Sequence, residues 1–237
     1  RDNIHVKKLH WALICPNNIP GSETVTMTIT QIIYWLELAG VAVFAITGAL
    51  EASRRQMDVV GFVLIATFTG IGGGTVRDVI TGATPVFWIR DTTWIVTCIG
   101  AAVLTYFTAH LVERRYVALL WLDALGLAMF GVTGAAIGLN IGVSPLVAVI
   151  LGMITATFGG MVRDVVCNEI PLILRPEIYI TCAALGAGIY VVGTAILDLP
   201  RGPIAVVGFF AAFILRACAI KFGLSFPIYK GRPGREY

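Results

Sequence analysis

Residues 69–78 read TGIGGGTVRD and lie inside a long apolar run. A related stretch, TATFGGMVRD, occupies residues 155–164, a shift of 86 positions from 69 to 155. Each stretch places a glycine cluster, an arginine and an aspartate where a membrane span is expected to be apolar. An arginine at the centre of a span costs about 2.5–3.5 kcal/mol by insertion scales. Because this cost recurs at two matching positions, the pattern indicates a polar path between helices.

The glycines and charges of these stretches allow more than one interpretation. Glycines lack a Cβ and loosen a helix, and loosened backbone in hydrocarbon is tolerated only where protein or water covers it. Glycines also let helices pack closely, and the Arg-Asp pairs could simply lock the two halves of the chain together. Adjacent residues on a helix point about 100° apart, so we expect Arg77 not to pair with Asp78 and each to have another partner.

The composition is that of a membrane protein. Of the 237 residues, 57% are hydrophobic and 13% are charged, and the mean hydropathy is +0.86. A soluble domain carries roughly 25% charged residues. The five cysteines contain no C-x-x-C pair, so we expect neither a disulfide framework nor a metal site.

Seven apolar runs are long enough to cross a bilayer, which requires about 20 residues. They cover residues 32–50, 58–82, 92–111, 118–139, 144–169, 177–197 and 203–222. The chain is therefore predicted to be an all-α polytopic membrane protein with seven transmembrane helices. Residues 1–31 are predicted to be a flexible N-terminal extension outside the fold, and residues 224–237 a basic cytoplasmic tail.

The two glycine stretches belong to a longer repeat. Matches at the same shift of 86 include Gly40 with Gly126, Phe44 with Phe130, Gly48 with Gly134, and Glu37 with Asp123. Residues 32–116 and 117–198 therefore form two copies of a three-helix unit, and residues 199–223 add a seventh helix. Because three is odd, the second copy enters the bilayer from the opposite side. We predict an inverted repeat with polar sites near the midplane, where the copies meet.

The distribution of charge predicts the orientation. Basic residues concentrate in the tail and in the loops after spans 1, 3 and 5, for example Arg54, Arg114 and Arg175. The loops after spans 2, 4 and 6 contain only two basic residues, Arg90 and Arg201. The positive-inside rule places the first set in the cytoplasm. The N-terminus is then outside and the C-terminus inside, in the inner membrane of the cell.

The sequence contains no pattern typical of an enzyme or a nucleic-acid-binding protein. The run from Gly70 to Thr75 lacks the Lys-Ser/Thr of a phosphate loop, and neither H-E-x-x-H nor G-x-S-x-G occurs. We therefore expect no catalytic residues, no cofactor and no nucleic-acid partner.

The duplicated three-span unit, the G-G-x-x-R-D motif in spans 2 and 5, and the seventh span resemble the prokaryotic trimeric intracellular cation (TRIC) channels. Sequences of this family are also described as paired glycine-transporter-like domains of bacterial membrane proteins. The resemblance covers about residues 32–222. It implies a homotrimer in the membrane, with one path for potassium and sodium ions inside each protomer. Membrane lipids are further expected partners, and a bound lipid fits this setting.

The resemblance also implies that spans 2 and 5 are kinked at their glycines and line the ion path. Carried over to this chain, the path residues are Gly72, Gly73, Gly74, Arg77 and Asp78 in span 2, and Gly159, Gly160, Arg163 and Asp164 in span 5. Phe158 stands where span 2 has Gly72, which suggests that the tighter constriction lies in span 5.

An arginine in such a path repels cations, so the sequence poses an electrostatic problem. The neighbouring aspartates could neutralise each arginine, or the arginines could bind carbonyls freed where the glycines break the helices. In the second arrangement, the freed carbonyls and the hydroxyls of Thr69, Thr155 and Thr157 face the ion.

Three functions fit these observations. The first is a passive, potassium-permeable channel, and the second is a secondary transporter of a small solute such as glycine, which would use the same inverted repeat. The third is a scaffold whose polar residues only hold helices together. No span offers a carboxylate-plus-amine pocket for an amino acid, and this favours the channel.

Overall fold

In a computed structural model, residues 22–112 and 114–227 are described, and they fold into helices joined by short loops. In chain order the helices are α1 (Ser22–Arg54), α2 (Val59–Thr81), α3 (Phe87–Arg90), α4 (Thr93–Thr108), α5 (Arg115–Ile141), α6 (Pro145–Val166), α7 (Ile180–Val191) and α8 (Arg201–Phe222). Short 3₁₀ turns at Ala109–Leu111 and Leu172–Leu174 follow α4 and α6.

Six helices of the described chain are long and apolar enough to cross a membrane, and this confirms the predicted all-α membrane architecture. The sixth predicted span is shorter than the others. It consists of α7 and a π-helical segment, Val192–Ile196, which together form the apolar helix Ile180–Ile196. The seventh predicted span corresponds to α8.

The first helix begins upstream of the first predicted span. α1 starts at Ser22, inside the segment predicted to be an extension, and its membrane-spanning part is Ile33–Arg54. The pattern of contacts within the chain separates two units, with the boundary after Tyr34. The first unit contains the first turns of α1, and the second unit begins at Trp35. The rest of the predicted extension and most of the predicted tail lie outside the described residues.

Local sequence signals explain where α2 begins and where α2 and α5 end. The Asp58 carboxylate accepts a hydrogen bond from the Gly61 amide at 2.8 Å, which caps the start of α2. Gly82 and Gly142 follow the last residues of α2 and α5 with φ of 68° and 87°. This left-handed conformation favours glycine and terminates both helices.

Matched glycine and phenylalanine positions form the centre of the second unit. The rings of Phe44 and Phe130 have centroids 5.2 Å apart. A Cβ on Gly40 would lie 3.0 Å from the Phe130 ring, and a Cβ on Gly126 would lie 2.7 Å from the Phe44 ring. Each repeat therefore supplies the glycine that the phenylalanine of the other repeat packs against. Reciprocal contacts of this kind are characteristic of a two-fold relation between matching units.

The loops that the sequence assigns to one side of the membrane meet at one face. The guanidinium of Arg54, at the end of α1, lies 4.8 Å from the centroid of the Tyr116 ring at the start of α5. Arg175, after α6, donates a hydrogen bond to the Tyr116 hydroxyl. In the opposite set of loops, Arg201 donates to the Asn140 side chain at 2.6 Å. The segments after spans 1, 3 and 5 therefore contact one another, and so do the segments after spans 4 and 6.

Candidate functional site

Each predicted arginine forms an ion pair with the aspartate that follows it. The Nε of Arg77 donates to Asp78 Oδ1 at 2.9 Å, and the Nε of Arg163 donates to Asp164 Oδ1 at 2.8 Å. The prediction that these neighbours do not pair is wrong. The arginine side chain is long enough to fold back along the helix, and its Nε reaches the next carboxylate although the two Cα–Cβ bonds diverge.

Each arginine also pairs with an acid from another helix, as expected. Arg77 Nη1 lies 2.6 Å from Glu37 Oε1 on α1. Arg163 Nη1 lies 3.0 Å from Asp123 Oδ1 on α5. We call Glu37, Arg77 and Asp78 the first cluster, and Asp123, Arg163 and Asp164 the second cluster.

Glu37 and Asp123 are absent from the predicted site, although the sequence contains a signal for them. They are acids inside apolar spans, and they match each other at the same shift of 86 as the arginines. An ionisable residue within a membrane span generally has a partner and a function. Combining these two observations would have placed both acids beside the arginines.

The aspartates also fix the loops that follow their helices. Asp78 Oδ2 accepts a hydrogen bond from the Phe87 amide at 2.9 Å, at the start of α3. Asp164 Oδ2 accepts one from the Leu172 amide at 3.0 Å. The matching roles show that the two clusters organise the same part of each repeat.

The two clusters differ in their accessibility. Arg163 and Asp123 are both completely buried, and Arg163 Nη1 also donates to the Thr47 hydroxyl at 3.0 Å. The Glu37 side chain keeps 14% of its surface exposed. It borders a cavity of about 10 Å³, which has room for about one water molecule. The first cluster is therefore the more open of the two.

Polar atoms that lack well-aligned hydrogen bonds lie near Gly160 in the second cluster. Within the described chain, these buried atoms are Asp123 Oδ2, Arg163 Nη2 and the Tyr179 hydroxyl. A Cβ on Gly160 would lie 3.3 Å from the Tyr179 hydroxyl and 3.6 Å from Arg163 Nη2. Buried polar groups of this kind are usually satisfied by bound water, so this is a polar position inside the membrane part of the fold.

Each cluster contains two carboxylates for one guanidinium. With all groups ionised, the formal charge of each cluster is about −1, since Glu37 and Asp78 oppose Arg77 alone. In the second cluster, Asp123 and Asp164 likewise oppose Arg163 alone, which gives the same formal charge. The arginines therefore do not make their surroundings positive.

The predicted helix breaks at the glycine clusters are absent. α2 and α6 keep their α-helical hydrogen bonding through both clusters, so the glycines free no carbonyls. Instead, they let the two backbones touch. A Cβ on Gly73 would lie 2.0 Å from the Thr155 carbonyl oxygen, and a Cβ on Gly159 would lie 2.2 Å from the Thr69 carbonyl oxygen. We call this contact the glycine crossing.

The remaining glycines of the predicted path have individual neighbours. A Cβ on Gly72 would lie 3.4 Å from Gly159 Cα, also at the crossing, whereas Gly74 faces the Phe87 ring at 2.7 Å. Gly160 alone among the predicted glycines of α6 faces the charged groups of the second cluster.

Thr69 and Thr155, two of the predicted threonines, pack between helices instead of facing an open path. The hydroxyls of Thr69 and Thr155 each donate to a carbonyl one turn earlier in their own helix, at 2.6 Å. Thr69 Oγ1 fills the space beside Gly48 on α1, and Thr155 Oγ1 fills the space beside Gly134 on α5. Thr157 donates to its own helix in the same manner. The Thr69 and Thr155 hydroxyls thus lie at the contacts of α1 with α2 and of α5 with α6.

Comparison with known proteins identifies the same duplication. A family model described as "Glycine transporter" matches the chain twice, over residues 34–110 and 120–195. A UPF0126 membrane protein of Vibrio cholerae is 38% identical over 212 residues, which cover 87% of each chain. The UPF0126 inner membrane protein YadS of Escherichia coli is 36% identical over 84% of this chain and 97% of its own.

Solved structures with the same fold are described as channels. The TRIC trimeric intracellular cation channel orthologue from Rhodobacter sphaeroides is 48% identical, with a TM-score of 0.79 over 81% of this chain and 99% of its own. A prokaryotic TRIC channel crystallised in 0.5 M KCl is 28% identical, with a TM-score of 0.77 over 82% of this chain and 98% of its own. Similarity to channels and membrane proteins agrees with the prediction that the chain is not an enzyme.

Proposed function

The chain belongs to the TRIC channel family, which shares the paired Glycine transporter domain, and from this membership we propose that it is a cation channel. The permeant ions in this proposal are potassium and sodium, with potassium the main one. The channel is a homotrimer in the inner membrane, with an ion path inside each protomer. The N-terminus lies outside and the C-terminus in the cytoplasm.

The observation that carries the proposal is the charge of the two clusters. An arginine alone in an ion path would repel cations, but each arginine here has two carboxylate partners. A net charge of −1 attracts a monovalent cation about 4 Å away by about 4 kcal/mol at an effective dielectric of about 20. The clusters therefore favour cations over anions, and the arginine holds the carboxylates in place.

The path in this proposal passes both clusters and closes between them. An inverted repeat would place the clusters on opposite sides of the membrane midplane, and the reciprocal glycine–phenylalanine contacts support that arrangement. Backbone contact at Gly73 and Gly159 leaves no room for an ion. We therefore assign the gate to the glycine crossing, where a separation of α2 from α6 would open the path.

Planar-bilayer recording of the purified protein in asymmetric potassium chloride tests this function, with sodium added in turn. We expect discrete current steps that reverse near the potassium equilibrium potential. The combined variant Glu37→Gln/Asp123→Asn removes one acid from each cluster and should shift the reversal potential toward zero. Glu169→Gln, at a partly exposed surface ion pair, is the matched control and should leave the reversal potential unchanged.

Two outcomes would contradict the proposal. The first is a silent bilayer from a preparation that elutes as a folded oligomer, together with saturable uptake of glycine into liposomes. That result would make the protein a carrier, as the description of its domain suggests. The cavity at Glu37 has no room for an amino acid. The second is an anion-selective current, which would show that the carboxylates do not set the charge of the path.

A further inference from the structure

An open pocket lies where the ends of α1 and α4 meet the start of α5. Its volume is about 510 Å³, and its polar lining comes from Arg54, His110, Arg114, Arg115 and Tyr116. It is separate from both clusters, and it lies on the face where the basic loops meet. The proposed channel function makes no use of it.

Two arginines of this pocket have no acidic partner among the described residues. Among the described side chains, no carboxylate lies within ion-pair distance of Arg114 or Arg115. Arg115 is nevertheless fixed, because its Nε donates to the Ala109 carbonyl at 3.0 Å and its Nη1 donates to the Ser53 carbonyl at 3.5 Å. Glu113, the acid next to them in sequence, lies outside the described residues. The pocket thus presents guanidinium groups that no carboxylate of the described residues neutralises.

Side-chain contacts hold the other side of the pocket in place. The Tyr116 ring lies against the Arg54 guanidinium, and its hydroxyl accepts a hydrogen bond from Arg175. Arg54 is itself held by Glu51 at 2.5 Å. Because this ring and this guanidinium are already held in place, binding a ligand costs little additional side-chain entropy.

An exposed apolar stripe leads away from the pocket along α4. Leu104 and Phe107 are exposed and, three residues apart, lie on one side of α4, and the exposed Leu111 follows in the 3₁₀ turn after it. The stripe ends at Leu111, beside His110 of the pocket. This combination fits a molecule with a charged head and a hydrocarbon tail.

We propose that this pocket binds the phosphate headgroup of an anionic phospholipid, with an acyl chain along the stripe on α4. Arginine matches phosphate oxygens through its planar set of N–H donors. Basic pockets between membrane helices at the cytoplasmic side are suited to anionic headgroups. The apolar stripe is the reason to assign the phosphate to a lipid and not to a soluble anion.

Native mass spectrometry of the purified protein in detergent tests the proposal, with phosphatidylglycerol or phosphatidylcholine added at equal concentrations. We expect the protein to retain phosphatidylglycerol in preference to phosphatidylcholine. The variant Arg114→Gln/Arg115→Gln should weaken this retention by about thirty-fold, since one arginine near an anionic surface contributes roughly five-fold. Arg90→Gln/Arg201→Gln removes the same charge from the opposite loops and should retain the lipid as the wild type does.

Three results would overturn the proposal. Equal retention of both lipids would show that the headgroup charge is not recognised, and equal loss in the two double variants would show that only net charge matters. Competition by millimolar glycerol phosphate as effective as that by phosphatidylglycerol would show a site for soluble phosphate. The melting temperature of each variant without lipid checks that it is folded, and Arg114→Gln alone, at an exposed residue, provides a second test if the double variant is unstable.

Discussion

Replacing Gly73 by alanine is expected to force α2 and α6 apart at the glycine crossing. A Cβ on Gly73 would lie 2.0 Å from the Thr155 carbonyl oxygen, whereas real Cβ contacts are essentially never below 3.0 Å. One helix must therefore move by about 1 Å, because the obstacle is backbone and cannot rotate away. Overpacking of this kind costs about 1–3 kcal/mol.

The magnitude can be measured as a change in thermal stability. In a chain of about this size, each 1 kcal/mol lowers the melting temperature by roughly 2–4 °C, so we expect a decrease of about 2–12 °C. The assay heats the purified protein in detergent and follows the loss of the folded oligomer by size-exclusion chromatography. The neighbouring variant Gly72→Ala is the matched control, because its Cβ would meet Gly159 Cα at an ordinary 3.4 Å.

The two glycines of the crossing should not act independently. A Cβ on Gly159 would lie 2.2 Å from the Thr69 carbonyl oxygen, and the same helix separation relieves both clashes. The variant Gly73→Ala/Gly159→Ala should therefore lose less stability than the sum of the single variants. Equal melting temperatures for Gly73→Ala and Gly72→Ala would refute the reasoning, because they would show that the backbones are not in contact at this point.

Three other perturbations should separate the parts of the fold. Asp123→Asn should lower the melting temperature more than Glu37→Gln, because Asp123 is the more buried acid. Breaking a fully buried ion pair costs about 3–5 kcal/mol. Equal decreases in melting temperature would contradict the difference in accessibility. Burial raises the pKa of the Cys167 thiol to about 11, so at pH 8 this thiol stays protonated and should resist maleimide until the protein is denatured, as site-resolved mass spectrometry would show. Arg216→Ala removes a buried guanidinium that donates to the Ile178 carbonyl at 2.9 Å, and hydrogen exchange should accelerate in the loop before α7 while α2 stays protected.

Much of the architecture follows directly from the sequence. Span length and hydropathy determine where helices cross a membrane, and the shift of 86 revealed the two units that the family model also detects. The arginines stand out because charge in an apolar span is rare. These features can be predicted because composition and spacing are read directly from the sequence.

The errors concern the direction of side chains and the cause of close packing. Pairing of Arg77 with Asp78 depends on how a long side chain bends, which the angle between adjacent positions does not determine. Glycine both weakens a helix and allows close approach, and only the three-dimensional contact at Gly73 shows that the second effect dominates here. The acids Glu37 and Asp123 were visible in the repeat, but their partners lie 40 residues away in sequence.

The reciprocal packing of Gly40 on Phe130 and of Gly126 on Phe44 constrains how the two copies can evolve. A larger residue in place of either glycine requires a smaller ring in the other copy, not in its own. The halves of a duplicated gene are normally free to accumulate changes separately. Here the shape of each repeat is constrained by the repeat it packs against. We therefore expect a larger side chain in one repeat to be accompanied by a smaller one in the other repeat.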